Sequence, residues 1–136
     1  MSEIALWIDN LMDRVRVSDH LQKNGFQIDS IPDSEICYEF LQAKSGIVVI
    51  DLQNASLDFK KMRRQFAAQR KLTDQIVSYF PHVQIHLKKE AEQCGIRHIY
   101  PRSAFFGDIL TIIQRVIKEN ESKGWHLQSP KRDLID

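Results

Sequence analysis

Two aspartates each end a short apolar run, and together they could do chemistry. Asp51 follows the apolar residues 47–50, and Asp9 follows the run that begins at Ile4. Because a buried carboxylate without a partner is costly, we expect both side chains at strand ends that face a crevice. Carboxylates on neighbouring strands can bind Mg²⁺ through oxygen, or one of them can accept a phosphoryl group. The alternative is that each aspartate only caps the helix after it.

The elements that would position these aspartates alternate regularly along the chain. Strand-like runs are followed five times by segments with a helical apolar stripe, and Gly25, Gly46 and Gly95 separate helix from strand. Strands joined by helices run parallel, so the pattern predicts one doubly wound α/β domain with a five-stranded parallel sheet and five helices. In such sheets the ligand crevice lies at the carboxyl ends of the strands. The predicted strands are 4–8, 26–31, 47–52, 75–80 and 96–100. The predicted helices are 11–24, 33–45, 57–72, 83–94 and 103–120. Ile36 and Val83 are predicted to lie on the apolar faces of the second and fourth helices.

The composition is typical of a single intracellular domain. The chain has 136 residues, is 43% hydrophobic and has a formal net charge of +1, so bulk charge predicts neither a nucleic-acid nor a membrane partner. No apolar run approaches the roughly 20 residues that span a bilayer, and no signal peptide is evident. Cys37 and Cys94 predict buried, reduced thiols and a cytoplasmic location. We predict a domain at 1–120 and a polar tail at 121–136, whose Trp125 and Leu127 can dock on the domain or on a partner.

Residues 3–117 resemble the receiver domains of response regulators. The segment "WIDN" is similar to the family's "VVDD" at the end of strand one, and "VVIDL" is similar to its "LxxDL" at the end of strand three. The resemblance implies a strand order of 2-1-3-4-5. It also implies that Asp51 is the phosphoryl acceptor and that Asp9 and Asn10 form, with Asp51, the acidic pocket that binds Mg²⁺.

The chain departs from the receiver pattern at three positions around this pocket. Asn10 replaces the second acid of the pair. Phe80 falls where the fourth strand should end in Thr or Ser, and Ser78 could serve only if the strand were shifted by two residues. Arg102 replaces the lysine of the fifth strand, with Ser103 where proline should follow. We therefore predict weak Mg²⁺ binding, a static pair between Asp51 and Arg102, and a degenerate receiver.

The predicted function is signalling through protein–protein contacts, without enzyme activity. The partners implied are a histidine kinase or a downstream target, with homodimerisation through the fourth helix, fifth strand and fifth helix. On that face we expect contacts from Tyr100, Arg102 and one of Phe105 and Phe106. One alternative is a working response regulator, phosphorylated on Asp51 with Mg²⁺. A further alternative is a flavodoxin-like module that binds a small molecule or nucleotide at Tyr79, Phe80 and Arg102.

The third predicted helix is strongly basic, and no acid interrupts residues 59–73. The simpler interpretation is a solvated helix face. The alternative is a docking face for an acidic partner or for nucleic acid. His82 and His86 are four residues apart, but no third ligand is evident, so zinc is not expected. The basic residues are Lys60, Lys61, Arg63, Arg64, Arg70 and Lys71.

Overall fold

Five parallel strands form one sheet in the order β2-β1-β3-β4-β5. They are seen in a computed structural model that describes residues 3–43 and 46–122, so Trp125, Leu127 and the rest of the predicted tail beyond Ser122 lie outside the described residues. The predicted fold class and strand order are confirmed. The elements are β1 (Ile4–Trp7), α1 (Leu11–Gln22), β2 (Ile28–Ser30), α2 (Ser34–Gln42), β3 (Ile47–Asp51), α3 (Phe59–Phe66), α4 (Arg70–Thr73), β4 (Ile76–Phe80), α5 (Ile85–Gln93), β5 (His98–Pro101), α6 (Arg102–Gly107) and α7 (Ile109–Ser122).

Helices cover both faces of the sheet, and this explains why the central strands are apolar throughout. Ile47 and Val49 of β3 belong to the core cluster formed with α1, α6 and α7. Val48 and Ile50 belong to the opposite cluster, formed with α2, α3, α4 and α5. Because alternate side chains of a strand point to opposite faces, β3 is buried on both sides. Its carboxyl end is the first place along the strand where a polar side chain can approach solvent.

The junctions predicted from glycine have the expected backbone. Gly25, Gly46 and Gly95 all have positive φ. Gly46 is the most constrained, because a Cβ built there would lie 1.8 Å from the backbone oxygen of Glu3. Only glycine lets β3 start this close to β1. At the start of α2, the side chain of Asp33 accepts a hydrogen bond from the Ile36 backbone N–H and caps the helix.

Two predicted helices are each divided in two within the described residues. The third breaks between α3 and α4, where Ala68 has a φ of 59°. The fifth breaks at Asp108, whose extended φ of −155° separates α6 from α7. Two predicted apolar contacts are also wrong. Val83 is 75% exposed because α5 begins only at Ile85, and Ile36 is 41% exposed because Cys37 and Leu41 supply the buried stripe of α2.

The two cysteines are free and buried, as predicted. Burial raises the pKa of Cys37 to about 12 and that of Cys94 to about 11, so neither thiol forms a thiolate near neutral pH. Over the part of the chain described here, none of the helices combines the length and the apolar character that crossing a bilayer requires.

Candidate functional site

Asp51 is the last residue of β3 and lies at the carboxyl end of the sheet. It is only 5% exposed, and its Oδ1 accepts a hydrogen bond of 3.0 Å from the Gln53 backbone N–H. Burial raises the pKa of this carboxyl above its ordinary value, and the negative charges of Asp13 and Asp9 raise it further. The Gln53 bond and the positive charge of Arg102 oppose the rise without cancelling it. The site therefore favours the neutral carboxyl more than water does.

Asp9 and Asn10 follow β1, but each side chain already has a structural partner. Asp9 is exposed, and its Oδ2 accepts a 3.0 Å bond from the Ala55 backbone N–H. The Asn10 Oδ1 accepts a 2.9 Å bond from the Asp13 backbone N–H and so caps α1. The alternative of helix capping, raised for the aspartates, thus describes Asn10.

The loop after Asp51 is bound to the end of β1 by side chains that sequence reasoning did not identify. Asn54 is buried, and its Nδ2 donates a 2.7 Å bond to the Trp7 carbonyl. The Trp7 indole N–H donates to the Ser56 hydroxyl at 2.9 Å, and that hydroxyl donates to the Asn54 Oδ1 at 3.2 Å. Together with the bond from Ala55 to Asp9, this network holds residues 53–56 against the carboxyl edge of β1 and β3.

Arg102 does not form the predicted pair with Asp51; it pairs with Asp13 of α1. Both terminal nitrogens of its guanidinium donate to the two carboxylate oxygens of Asp13. Asp13 is buried, whereas the Arg102 side chain is 41% exposed. The hydrogen bonds from Arg102 lower the pKa of Asp13 below its ordinary value, against the opposing effect of burial. A bidentate pair thus joins the start of α1 to the start of α6.

Sequence reasoning missed Asp13, although a signal was present. Asp13, Val17 and Leu21 are spaced by four, and they are the buried residues of α1. A carboxylate in phase with an apolar helical stripe must be buried, and a buried carboxylate needs a cation. That cation is Arg102, which directly follows β5.

Aromatic rings surround this ion pair. The Tyr79 hydroxyl donates a 3.1 Å bond to Asp13 Oδ2, and the Tyr79 ring stacks on Phe105 with centroids 4.9 Å apart. Phe106 packs edge-on against both rings, and the guanidinium carbons of Arg102 and Arg16 lie 4.6 and 4.7 Å from its centroid. Such cation–π contacts hold both guanidiniums in place. Phe105 has no exposed surface and is part of the core.

The fourth strand ends without a free hydroxyl at the crevice. Asp51 is in register with Tyr79, and Phe80 is in register with Pro101 and packs into the core on the side of α2 to α5. Ser78 is fully buried beside Ile50, and its hydroxyl donates to the His98 carbonyl at 3.1 Å. The two-residue shift that would bring Ser78 to the site does not occur. Tyr79 and Phe80 are both buried, so of the three residues named for the small-molecule alternative, which stays a prediction, Arg102 is the one that is partly exposed.

The residues predicted to bind Mg²⁺ fit that ion poorly. One oxygen of Asp9 and one of Asp51 already accept backbone hydrogen bonds, and the Asn10 oxygen caps α1. The raised pKa of Asp51 also disfavours the ionised form that a metal needs. Within residues 3–43 and 46–122, no three His, Cys, Asp or Glu side chains lie close enough together to bind a metal ion.

Replacing Asp51 with asparagine is expected to stabilise the protein at neutral pH by about 1 kcal/mol. The amide keeps an acceptor for the Gln53 N–H but removes a buried charge. The pKa of Asp51 is higher in the folded protein than in the unfolded chain, where it is about 3.9. Ionisation of Asp51 therefore leaves stability unchanged at pH values below the unfolded pKa and lowers it as the pH rises above that value. Urea unfolding from acid to neutral pH should therefore show a gain that grows as pH rises. A variant less stable than the wild type at pH 7 would show that the ionised carboxylate is stabilising.

Solved response regulators have the same fold. The chain is similar to full-length FixJ from B. japonicum, with a TM-score of 0.70 and 21% identity over 90% of this chain and 61% of that one. It is similar to chemotaxis response regulator CheY4 of Vibrio cholerae, with a TM-score of 0.64 and 18% identity over 85% of this chain and 98% of that one. It is also similar to a response regulator protein from Burkholderia pseudomallei, with a TM-score of 0.62 and 13% identity over 91% of this chain and 73% of that one. That protein was solved with a phosphorylated aspartic acid, a calcium ion and citrate. No protein-family model and no curated protein matches the sequence.

These similarities, together with the sheet order, show that the chain has the fold of response-regulator receiver domains. The resemblance found in the sequence is therefore confirmed at the level of the fold. The chain spans 61% of the length of FixJ and nearly all of CheY4, so the receiver fold alone is shared with these proteins.

Proposed function

We propose that this chain is a receiver-like signalling module that acts through protein contacts, and that its crevice does not readily accept a phosphoryl group. The observation that carries the proposal is the pair between Arg102 and Asp13. Arg102 stands at the position of the cation that, by resemblance, would hold the phosphorylated aspartate, and its guanidinium is already bound by a buried carboxylate. The module transmits a signal by being bound, and no catalysed reaction is part of the proposal.

The chemistry of phosphoryl transfer supports this interpretation of the crevice. Transfer depends on cations and hydrogen-bond donors already positioned around the transferred group. Here the amide of Asn10 caps a helix, the ring of Tyr79 is in register with Asp51, and the donors of Arg102 point to Asp13. Burial also raises the pKa of the acceptor carboxyl itself, which lowers the fraction available as a nucleophile.

Titration with beryllofluoride and Mg²⁺ tests the proposal in solution. Beryllofluoride binds an aspartate that has a metal beside it. Because the crevice fits Mg²⁺ poorly, we expect no saturable change in the amide NMR signals of residues 51–56. Mg²⁺ alone at low millimolar concentration should change the melting temperature by less than about 1 °C, since a ligand that binds only the folded state must raise stability. Saturable, Mg²⁺-dependent shifts around Asp51, absent from Asp51→Asn, would overturn the proposal.

A second candidate is a working response regulator phosphorylated on Asp51. It is favoured by the place of Asp51 at the end of β3, beside Asp9 at the end of β1, in a fold for which one solved neighbour has a phosphorylated aspartic acid and a calcium ion. In that case a histidine kinase would supply the phosphoryl group, and the pair between Arg102 and Asp13 would have to open.

One of the two phenylalanines on the partner face predicted from the sequence is partly exposed. Phe105 is fully buried, whereas Phe106 is partly buried and lies between the guanidiniums of Arg16 and Arg102. Tyr100 is partly buried against the same core cluster. Binding of a kinase or target, and homodimerisation through this face, stay predictions in which Tyr100, Arg102 and Phe106 are the partly exposed side chains that would contribute.

A further inference from the structure

Helix α3 presents a basic surface that the receiver-like crevice does not use. Its buried side consists of Met62 and Phe66, which pack into the core cluster on the side of α2 to α5. Lys60, Arg63 and Arg64 are exposed on the other side. The short helix α4 packs against α3 and adds the exposed cation Arg70. We call these four side chains the α3 basic face.

Carboxylates on the protein neutralise only part of the charge in this region. The Arg63 guanidinium lies 4.0 Å from Glu90, and Lys61 next to the face bonds Glu35. Both pairs are exposed to solvent and so contribute little to stability. Within residues 3–43 and 46–122, Lys60, Arg64 and Arg70 have no ion pair. The positive charge is therefore available to a partner.

The charge is concentrated here rather than spread over the chain. The whole sequence has 19 Lys and Arg against 18 Asp and Glu, and no acid lies between residues 59 and 73. Outside this basic region the chain is therefore net acidic. A local positive surface on a nearly neutral protein steers the approach and orientation of a negatively charged partner.

The chemistry of the face favours a protein carboxylate over nucleic acid. Domains that bind nucleic acid through bulk charge usually have a pI above about 9, whereas the sequence pI here is about 7.8. The aromatic residues of α3 are packed inward: Phe66 is buried and Phe59 is partly buried, so neither offers a stacking surface. Asp58, which caps the start of α3, would repel a long polyanion that ran past that end of the helix. The guanidiniums of Arg63 and Arg64 can each bind a single carboxylate with two hydrogen bonds.

We infer that the α3 basic face binds an acidic segment of a protein partner. This gives the partner surface of the proposed module and rests on that proposal only in requiring that the module acts through protein contacts. It does not depend on the state of Asp51. It places the contact on α3 rather than on the face that carries Tyr100.

The test is fluorescence anisotropy of a labelled oligoglutamate peptide titrated with the full chain. The charge-reversal variant K60E/R63E/R64E should weaken binding by at least about 10-fold, and raising the salt from about 50 to about 300 mM should weaken binding to the wild type. The matched control K23E/R115E/K118E changes the net charge equally at exposed positions away from α3 and α4 and should stay within about twofold of the wild type. Melting temperatures of both variants should stay near that of the wild type, since exposed substitutions usually change stability little.

Three results would overturn the inference. The first is that the wild type does not bind the oligoglutamate peptide, and the second is that both triple variants lose affinity for the peptide equally. The third is that the wild type binds a DNA duplex more tightly than the peptide and that the α3 substitutions abolish this DNA binding. If Tyr100→Ala weakened peptide binding and K60E/R63E/R64E did not, the contact would lie on the face that carries Tyr100. The titration contains neither Mg²⁺ nor a phosphodonor, so its failure would leave the account of the Asp51 crevice untouched.

Discussion

Replacing Arg102 with alanine should lower the free energy of unfolding by about 2–3 kcal/mol at pH 7. The substitution leaves the Asp13 carboxylate buried, with the Tyr79 hydroxyl as its one remaining side-chain donor among residues 3–43 and 46–122. Removing one member of a buried pair costs more than the pair contributes, because the remaining charge has no counterion. The partial exposure of the Arg102 side chain keeps the expected loss below that of a fully buried pair.

The loss should depend on pH in a defined direction. Arg102 lowers the pKa of Asp13 in the folded protein, so the pair contributes its stability above the unfolded pKa near ~3.9 and loses it as pH falls through the lowered folded value. In Arg102→Ala the largest cause of that lowering is gone, while the Tyr79 hydrogen bond and the charge of Arg16 remain. The difference between wild type and variant should therefore be largest near neutral pH and shrink on acidification, as followed by urea unfolding.

An exposed pair elsewhere provides the matched control. Lys23 and Asp19 form a 3.0 Å salt bridge on the surface of α1, and Lys23→Ala should change stability by less than about 0.5 kcal/mol. Arg102→Lys keeps the charge but loses the bidentate geometry, so its stability should lie between those of wild type and Arg102→Ala. If Arg102→Ala were as stable as Lys23→Ala, the pair would not hold α1 to α6.

Replacing Tyr79 with alanine should cost about 3–5 kcal/mol, the range for large buried aromatic side chains. The Tyr79 ring has no exposed surface, stacks on Phe105 and contacts Phe106, so its removal leaves a cavity under α6. Tyr79→Phe isolates the hydroxyl. It should cost only about 1 kcal/mol, because the ring stays and one hydrogen bond to Asp13 is lost.

Chemical denaturation of both Tyr79 variants gives the two values directly. A loss in Tyr79→Phe as large as that in Tyr79→Ala would mean that the hydroxyl, rather than the packed ring, holds the crevice together. A small loss in Tyr79→Ala would mean that the cavity collapses or that the ring is not packed as described.

The sheet could be predicted from the sequence because its central strands are buried on both faces. Continuous apolar runs such as residues 47–50, together with glycine junctions at Gly25, Gly46 and Gly95, are typical of a parallel sheet covered on both sides by helices. The break after α3 could not be predicted, because the alanine at position 68 is a strong helix former. The break before α7 had a signal in the sequence, because Gly107 weakens a helix and Asp108 is a common N-cap residue.

The sequence predicted where the crevice lies but not which residue pairs with Arg102 there. Asp51 and Asp9 were placed at strand ends from the apolar runs alone, and β1 and β3 are indeed neighbours. The partner of Arg102 could not be found among the strand ends, because Asp13 lies on the buried side of α1. Counting along the sequence also placed Phe80 at the end of the fourth strand, and β4 does end there. Its side chain packs on the α2 to α5 side of the sheet, whereas Tyr79, in register with Asp51, belongs to the opposite core cluster.

Incubation with acetyl phosphate and Mg²⁺, followed by intact-protein mass spectrometry, tests the central claim most directly. The account predicts that the wild type gains no phosphoryl group above the level seen in Asp51→Asn, since Asp51 is buried, Asn10 caps α1 and Arg102 is bound to Asp13. A receiver domain known to accept phosphate, treated in parallel, verifies the reagent. Ready Mg²⁺-dependent addition of one phosphoryl group to the wild type, abolished in Asp51→Asn, would contradict the account and identify a working response regulator.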